Sequence, residues 1–112
     1  MSCIFCQIVD KRIPANFVYE DDAVMAFSDI NPQAPHHYLV VTKVHYENLL
    51  AVPKNSDVFN RVYIAIDQIV DKAGIAETGF RVVVNTRDDG GQTVPHLHFH
   101  VLGGRFMTWP PG

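Results

Sequence analysis

The stretch His96-Leu97-His98-Phe99-His100-Val101-Leu102 alternates histidines with apolar residues. Successive side chains of a β-strand point to opposite faces, so this pattern predicts a strand over 95–102 with all three histidines on one face. The intervening Leu97, Phe99 and Val101 then share the other face and enter the core. Neighbouring histidines attach about 6.6 Å apart and the outer two about 13 Å apart. On a regular strand one metal ion therefore holds an adjacent pair at most.

Three histidines on one strand face have three interpretations. They decorate a solvated sheet surface, or an H-x-H pair binds a metal, since imidazole is the commonest metal ligand. In the third, a neutral imidazole with a pKa near 6.5 acts as a nucleophile through its unprotonated nitrogen, while its other nitrogen donates to a fixed acceptor. A metal hydrolase is the weaker idea, because no Asp or Glu lies within eight residues of His98 on either side.

The rest of the chain predicts a small α+β domain around this strand. Four more strands are predicted over 17–19, 24–27, 38–42 and 80–85, the first two as a hairpin. Apolar residues recur at helical spacing from 56 to 73, which predicts a long helix capped by Asn55 or Ser56 and stopped by Gly74. Short helices are predicted after a Ser2 cap and over 43–51. The expected fold is α+β, with about five mostly antiparallel strands, one long helix and one or two short ones.

Composition is that of an ordinary globular chain. Its 112 residues are 47% hydrophobic and 19% charged, which predicts one domain over 1–112. The net charge of −3 argues against binding a nucleic-acid polymer, which needs a basic face, but not against a small nucleotide. No apolar run approaches the roughly 18 residues of a membrane span, and the N-terminus lacks the basic segment of a signal peptide. We therefore expect a cytoplasmic protein that does not bind membranes.

The histidine run resembles the signature of the histidine triad (HIT) nucleotide hydrolases and transferases. The agreement extends along nearly the whole chain. The segments D-I-N-P-Q-A-P at 29–35, His37, G-G-Q-T-V at 90–94 and the G-G-R…W-P-P-G ending at 103–112 all resemble the Hint-like branch. The resemblance implies a HIT-like fold and a purine nucleoside phosphoramidase or hydrolase. Its substrates would be AMP- or GMP-linked amines, and its intermediate a covalent nucleotidyl-histidine.

The resemblance also implies roles for individual residues. His98 would attack the α-phosphate, His100 would contact the same phosphate, and His37 would help to position these two catalytic residues. Asp29 would accept hydrogen bonds from the ribose hydroxyls, and Ile30 would line the base pocket. The remaining nucleotide-binding residues would be Asn85, Gly91, Gln92 and Thr93 at the phosphates, and an apolar slot for the base formed by Phe5, Ile8, Ile13 and Phe27. For these last four the alternative is ordinary core.

Two alternative functions remain open at this point. One is a purine-nucleotide-binding or protein-interaction module with little turnover, against which the intact His98 and His100 argue. The other is a dinucleoside polyphosphate hydrolase, which the Hint-like ending makes less favoured. Two positions depart from the family pattern: Pro95 replaces a common aromatic, and Thr93 replaces a common serine while keeping its hydroxyl. Neither departure removes the chemistry.

The two cysteines, Cys3 and Cys6, form a C-x-x-C pair. In a reducing compartment this spacing favours a metal site or a redox pair over a structural disulfide. Two thiolates together with His45 and His96 suit tetrahedral zinc, and some HIT proteins resemble this pattern and hold zinc. Such a zinc would be structural and not required for catalysis. His96 would then have to leave the phosphate side of its strand, and the alternative is two reduced thiols beside a surface His45.

The long helix and an exposed sheet edge predict a homodimer, because edges and apolar helix faces need cover. The ending from Phe106 to Gly112 is apolar, carries the only tryptophan, Trp109, and is stiffened by prolines. We expect this tail to reach the partner's active site, as the corresponding tryptophan does in Hint-like proteins. The alternative is a tail folded back on its own chain.

Overall fold

Five strands form one sheet in which every pairing is antiparallel, in the order β1-β2-β3-β5-β4. The structure is a computed structural model and describes residues 3–112. Its elements are α1 (Ile4–Val9), β1 (Phe17–Glu20), β2 (Val24–Ser28), β3 (His36–Thr42), a single 3₁₀ turn (Leu49–Ala51), α2 (Val58–Ala73), β4 (Phe80–Val83) and β5 (His98–Gly103). The predicted α+β class is confirmed.

The histidine strand β5 lies between β3 and β4, in the interior of the sheet. Its apolar residues face α2, where Leu97, Phe99 and Val101 are buried in one core cluster with Val62 and Ile69 of the helix. The alternation in the sequence therefore predicted this face of the strand correctly. A helix that buries one apolar stripe against one sheet face is a standard two-layer solution.

The opposite face of the sheet, which carries the histidines, is covered by the short helix α1. A second apolar cluster forms there from α1 and the central strands. Its buried members are Cys3, Phe5, Ile8, Met25, Phe27, Leu39 and Val41. In the register of β3 and β5, His98 lies opposite Val41 and His100 opposite Leu39, so both histidines emerge beside this cluster.

The ends of the elements follow local chemistry. The β1–β2 hairpin is present as predicted, and Asp21 Oδ1 stabilises its turn by accepting the N–H groups of Ala23 and Val24. Helix α2 ends at Gly74, whose φ of 73° is the left-handed conformation that glycine tolerates. Its N-cap is Asp57 rather than the predicted Asn55 or Ser56, although Ser56 Oγ accepts the N–H of Val58.

At the N-terminus, the predicted cap Ser2 lies outside the described residues, and Cys3 occupies the N-cap position of α1. The Cys3 sulfur accepts the N–H of Cys6 at 3.4 Å, which fixes the two cysteines relative to each other. Between residues 3 and 112, no helix is long and apolar enough to cross a membrane.

The helix predicted over 43–51 is wrong, because only the 3₁₀ turn at its end is present. The carbonyl of Tyr46 accepts the N–H of Leu97 at 2.7 Å, which holds the segment against the residues before β5. The same bond explains why β5 begins at His98 and not at 95. Pro95 has no N–H to donate to a neighbouring strand, and the N–H of Leu97 already donates to Tyr46. Strand β4 likewise ends at Val83, two residues earlier than predicted.

The position of Leu97 in the core generates a stability prediction. Leu97 is 1% exposed, whereas Leu50 in the 3₁₀ turn is 67% exposed. We expect Leu97→Ala to lower the free energy of unfolding by about 2–5 kcal/mol, because the cavity cannot fully collapse. The matched variant Leu50→Ala should change it by less than about 0.5 kcal/mol. Urea denaturation measures both, and equal losses would contradict this placement of the core.

Candidate active site and metal centre

The protonation of His98 is set by the backbone. Its Nδ1 lies 2.7 Å from the carbonyl oxygen of His96, and because a carbonyl oxygen only accepts, Nδ1 carries the proton. Nε2 is therefore the unprotonated nitrogen of the neutral ring. Nε2 of His98 has no hydrogen-bond partner among residues 3–112. Every buried side-chain nitrogen among these residues has a partner, so Nε2 of His98 must be accessible at the surface. A buried ring thus presents one unprotonated nitrogen to solvent.

A second hydrogen-bond chain sets the protonation of His100. The backbone N–H of Gln33 donates to Nδ1 of His37 at 3.0 Å, so the neutral His37 ring carries its proton on Nε2. This Nε2–H donates to Nδ1 of His100, and the two nitrogens lie 2.9 Å apart. His100 therefore keeps its own proton on Nε2 and can donate it. The rings of His98 and His100 have centroids 5.1 Å apart on one face of β5.

Asp29, in the loop before β3, lies at the end of this hydrogen-bond chain. Its Oδ2 lies 3.4 Å from Nε2 of His37, and its Oδ1 accepts the N–H of Asn31 at 2.8 Å. The ligand atoms of Asp29, His37 and His100 also lie within 4.8 Å of one another, as in a metal site. However, the Gln33 N–H leaves His37 with a proton on the nitrogen that faces this point. We therefore interpret the cluster as a hydrogen-bond chain.

Burial keeps these rings neutral near pH 7. It lowers the pKa of His98, and it lowers the pKa of His37 against the opposing effect of the Asp29 carboxylate. The pKa of His100 falls to about 4, chiefly through burial and further through the neighbouring His98 and His37. The single-proton assignments above require neutral rings, so the electrostatics and the hydrogen bonds agree.

The glycine-containing loop before β5 is held by Gln92. Its Oε1 accepts the N–H of Arg87, and its Nε2 donates to the carbonyls of Glu47 and Val94. Gly90 has no room for a side chain, since a Cβ there would lie 2.4 Å from the carbonyl oxygen of Thr86. The side chain of Gln92 is thus engaged in bracing the loop.

The other predicted nucleotide-binding residues surround the histidines at varying exposure. Ile30 is 99% exposed, and Gly91 and Thr93 lie on the surface of the loop. Asn85 is half-buried just beyond β4, and because Val83 pairs with His100, it lies toward the His98 end of β5. The predicted apolar slot is mostly core: Phe5, Ile8 and Phe27 are buried in the cluster under α1, and Ile13 packs against it half-buried.

Phe5 also contacts the histidines directly. Its ring packs edge-on against His98 with centroids 5.0 Å apart, and against His96 with centroids 5.9 Å apart. Phe5 therefore shields the two histidines from solvent on the α1 side. This contact contributes to the burial that lowers the pKa of His98.

The four cysteine and histidine residues predicted as metal ligands meet at one point. The ligand atoms of Cys3, Cys6, His45 and His96 all lie within 4.8 Å of one another. Because β5 begins only at His98, His96 precedes the strand, and its Nδ1 lies 3.3 Å from the sulfur of Cys3 at the start of α1. Its Nε2 lies 2.7 Å from the carbonyl oxygen of Thr42 and donates to it, so the unprotonated Nδ1 faces the cysteines.

The spacing of these donors fits a zinc ion. Zinc–sulfur bonds of about 2.3 Å and zinc–nitrogen bonds of about 2.0–2.1 Å give tetrahedral edges of roughly 3.3 Å between two nitrogens, 3.6 Å between sulfur and nitrogen and 3.8 Å between two sulfurs. The sulfur-to-nitrogen distances are 3.3 Å for Cys3–His96, 3.2 Å for Cys6–His45 and 3.6 Å for Cys6–His96. The two Nδ1 atoms of His45 and His96 lie 3.1 Å apart. Burial and then the neighbouring Cys3 raise the pKa of Cys6 to about 11.

Sequence reasoning missed Gln33 and Thr42. Both act through their backbone, Gln33 by its N–H on His37 and Thr42 by its carbonyl oxygen on His96. Gln33 lies inside the proline-containing loop that carried the family resemblance, but any residue other than proline offers the same N–H. No side-chain signal could therefore have identified either role.

The chain is similar to several known proteins. Residues 10–107 match the family described as "HIT domain". A HIT family hydrolase from Legionella pneumophila is 43% identical with a TM-score of 0.95, covering 99% of this chain and 100% of that one. The 14 kDa zinc-binding protein of Zea mays is 44% identical, covering 97% of this chain and 87% of that protein. A histidine triad nucleotide-binding protein from Candida albicans is 28% identical with a TM-score of 0.85, covering 97% and 83%.

Proposed function

This chain belongs to the HIT family, and on that premise we propose that it hydrolyses purine nucleoside phosphoramidates, the AMP- or GMP-linked amines. The observation that carries the proposal is the pairing of an unprotonated nitrogen on His98 with a neutral N–H donor on His100. The names of the Legionella hydrolase and the Candida nucleotide-binding protein support the coarser class of nucleotide hydrolase.

The proposed reaction has two displacements at the α-phosphorus. His98 Nε2 attacks, a nitrogen–phosphorus bond to the ring forms, and the bond to the amine breaks as the leaving nitrogen takes a proton from solvent. Water then attacks the same phosphorus and gives up a proton to solvent as the bond to His98 breaks, which releases the nucleoside monophosphate and returns His98 to its neutral form. Throughout, the His96 carbonyl stabilises the extra positive charge on the ring at Nδ1–H. His100 donates to the phosphoryl oxygens, whose negative charge grows in each transition state.

The proposed substrate contacts surround this pair. Asp29 stands partly exposed at the end of the histidine chain and is assigned to the ribose hydroxyls, with the exposed Ile30 against the base. The loop of Gly91 and Thr93, together with Asn85, is assigned to the phosphates, where neutral donors suffice. Gln92 contributes by ordering that loop through its three backbone hydrogen bonds.

The assignment of His98 as nucleophile is tested by His98→Ala. We expect kcat for an adenosine phosphoramidate to fall by at least about 10³-fold, because the covalent route is removed. Binding of AMP should stay close to wild type, since the proposed binding residues are unchanged. Single-turnover kinetics and calorimetry measure the two quantities.

Two further variants sharpen this test. His98→Gly should recover part of its activity when free imidazole is added, because imidazole can replace the lost ring as nucleophile. His36→Gln is the matched control, since His36 lies on β3 and bonds only to Tyr38 among the described side chains. A His98→Ala protein that keeps more than a few per cent of the wild-type kcat would refute the nucleophile.

We also propose that Cys3, Cys6, His45 and His96 hold one structural zinc ion. The donor spacing and the unprotonated Nδ1 of His96 support it, as does the name of the Zea mays relative. Zinc there would supply a tetrahedral cross-link between α1, the segment after β3 and the residue before β5. It has no place in the bond-breaking steps, which use other atoms.

Zinc analysis and stability test this second assignment. Protein purified without added metal should contain about one zinc per chain, and His45→Gln should contain less while the control His36→Gln does not. Chelation should lower Tm by about 4 °C or more, the shift for roughly 1 kcal/mol in a domain near this size. Chelated protein that is still folded should keep its activity. Unchanged Tm, or activity that requires metal strictly, would contradict a structural zinc.

We propose further that the chain forms a homodimer through α2 and β4. The outer face of α2 exposes Phe59 and Tyr63, and the edge strand β4 exposes Phe80 and Val82 beside them. These side chains line an apolar depression of about 420 Å³. One edge of β4 has no strand partner among residues 3–112. A second copy related by a two-fold axis matches this patch with itself.

The tail is assigned to the same assembly. Phe106 and Trp109 are 88% and 81% exposed on their own chain. Arg81 of β4 donates to the carbonyl of Thr108, which holds the tail beside the proposed dimer face. From there we expect Trp109 to reach the partner's substrate site.

A charge placed in the apolar patch tests the dimer. Tyr63→Asp should shift the protein from dimer to monomer at micromolar concentration, because a carboxylate would be buried without a partner. Tyr63 is 66% exposed in the isolated chain, so the monomer should remain folded. Leu50→Asp, at a position that is 67% exposed and outside this apolar patch, should stay dimeric. Sedimentation velocity decides, and a wild-type monomer would refute the interface.

A further inference from the structure

His37 has one proton to donate and two acceptors within reach. The N–H of Gln33 occupies Nδ1, so the neutral ring can donate only from Nε2. Nδ1 of His100 lies 2.9 Å from that nitrogen, and Oδ2 of Asp29 lies 3.4 Å from it. The histidine acceptor is closer, whereas the carboxylate carries a negative charge. In this structure the hydrogen bond goes to His100, while the Asp29 carboxylate lies just beyond the usual hydrogen-bond distance and attracts the same proton, so the two groups compete for it.

The outcome of this competition decides what His100 offers the substrate. When His37 donates to His100, Nδ1 of His100 is an acceptor and its own proton stays on Nε2. When His37 donates to Asp29, Nδ1 of His100 loses its donor, and the tautomer with the proton on Nδ1 becomes accessible. Nε2 then presents a lone pair, which repels phosphoryl oxygens. Only the first arrangement stabilises the charge that grows in the reaction.

We propose that the ribose hydroxyls of the substrate settle this competition by binding Asp29, so that the His37 proton is committed to His100. This inference rests on the proposed function, in which Asp29 binds the ribose. Oδ1 of Asp29 already accepts the N–H of Asn31, which leaves Oδ2 as the oxygen with free lone pairs. Hydroxyl groups that donate to Oδ2 use those lone pairs and weaken its attraction for the His37 proton. The ribose hydroxyls thereby affect the rate of the chemical step as well as the binding of the substrate.

Burial makes His37 suited to this relay. Its side chain is 4% exposed and that of Asp29 is 17% exposed, so the hydroxyls reach the carboxylate but not the imidazole. His37 is therefore a positioning residue that acts through His100. Among residues 3–112, only these two acceptors lie near Nε2, and hydrogen bonds are strong in such a buried, low-dielectric setting.

The tautomer of His100 provides a test that needs no turnover. Zinc-replete protein with ¹⁵N-labelled histidine is compared in complexes with AMP and with 2′,3′-dideoxy-AMP. We expect His100 to be in the Nε2–H tautomer with AMP and in a mixture of tautomers with the dideoxynucleotide. The same tautomer in both complexes would overturn the relay while leaving the proposed function intact. Failure of AMP to bind at all would overturn both.

Kinetics with two His37 variants provide a second test. For the wild type, removing both hydroxyls from the phosphoramidate should lower kcat by about tenfold, in addition to raising KM. His37→Asn places an amide oxygen near the Nδ1 position but no donor near Nε2, so its kcat should become insensitive to the hydroxyls. His37→Gln keeps a donor near Nε2 and should retain part of the sensitivity.

KM is the internal control in this comparison. Asp29 is unchanged in both variants, so the hydroxyls should still improve KM in all three proteins. A wild-type effect confined to KM, or an equal kcat effect in His37→Asn, would overturn the relay. Neither result would bear on His98 as the nucleophile.

Discussion

The hydrogen bond from His98 Nδ1 to the carbonyl oxygen of His96 is the interaction on which the site depends. It uses the backbone, so the path of the chain sets which ring nitrogen is free, with no acidic partner needed. That path requires the chain to leave the sheet before His98, and the bond between Leu97 and Tyr46 holds it there. Residue 96 thus serves two sites, with its carbonyl toward His98 and its ring toward the cysteines.

The same device recurs in the neighbouring rings. The N–H of Gln33 and the carbonyl of Thr42 determine which nitrogen carries the proton in His37 and in His96, respectively. His37 in turn donates to Nδ1 of His100 and so determines the tautomer of that ring. Burying several imidazoles is costly unless each polar atom has a partner, and these backbone partners meet that need. The burial also lowers the pKa of the rings, which keeps them neutral. Neutral rings in turn are what a chain of single-proton hydrogen bonds requires.

The sheet keeps these groups in place because β5 is an interior strand. Its apolar face is packed against α2, and its histidine face against the cluster under α1. Reactive groups on such a strand are held more firmly than groups on a loop. The loop residues at 90–93 need bracing of their own, which the Gln92 amide supplies. Phe59 and Tyr63 of α2 and Phe80 and Val82 of β4 form an exposed apolar patch, which is the face we assign to the proposed partner.

Side-chain periodicity alone determined the class of the fold, the core face of β5, helix α2 with its end at Gly74, and the β1–β2 hairpin. The C-x-x-C spacing, the chemistry of zinc ligands and the family resemblance singled out the four residues that meet as a candidate metal site. Only the tertiary structure decided that 43–48 is not helical, that β5 begins at His98, and which nitrogen of each histidine carries the proton. The reason is that these outcomes depend on backbone groups of Tyr46, Gln33 and Thr42. Backbone N–H and C=O groups are nearly the same in every residue, so only the folded chain shows which of them meet.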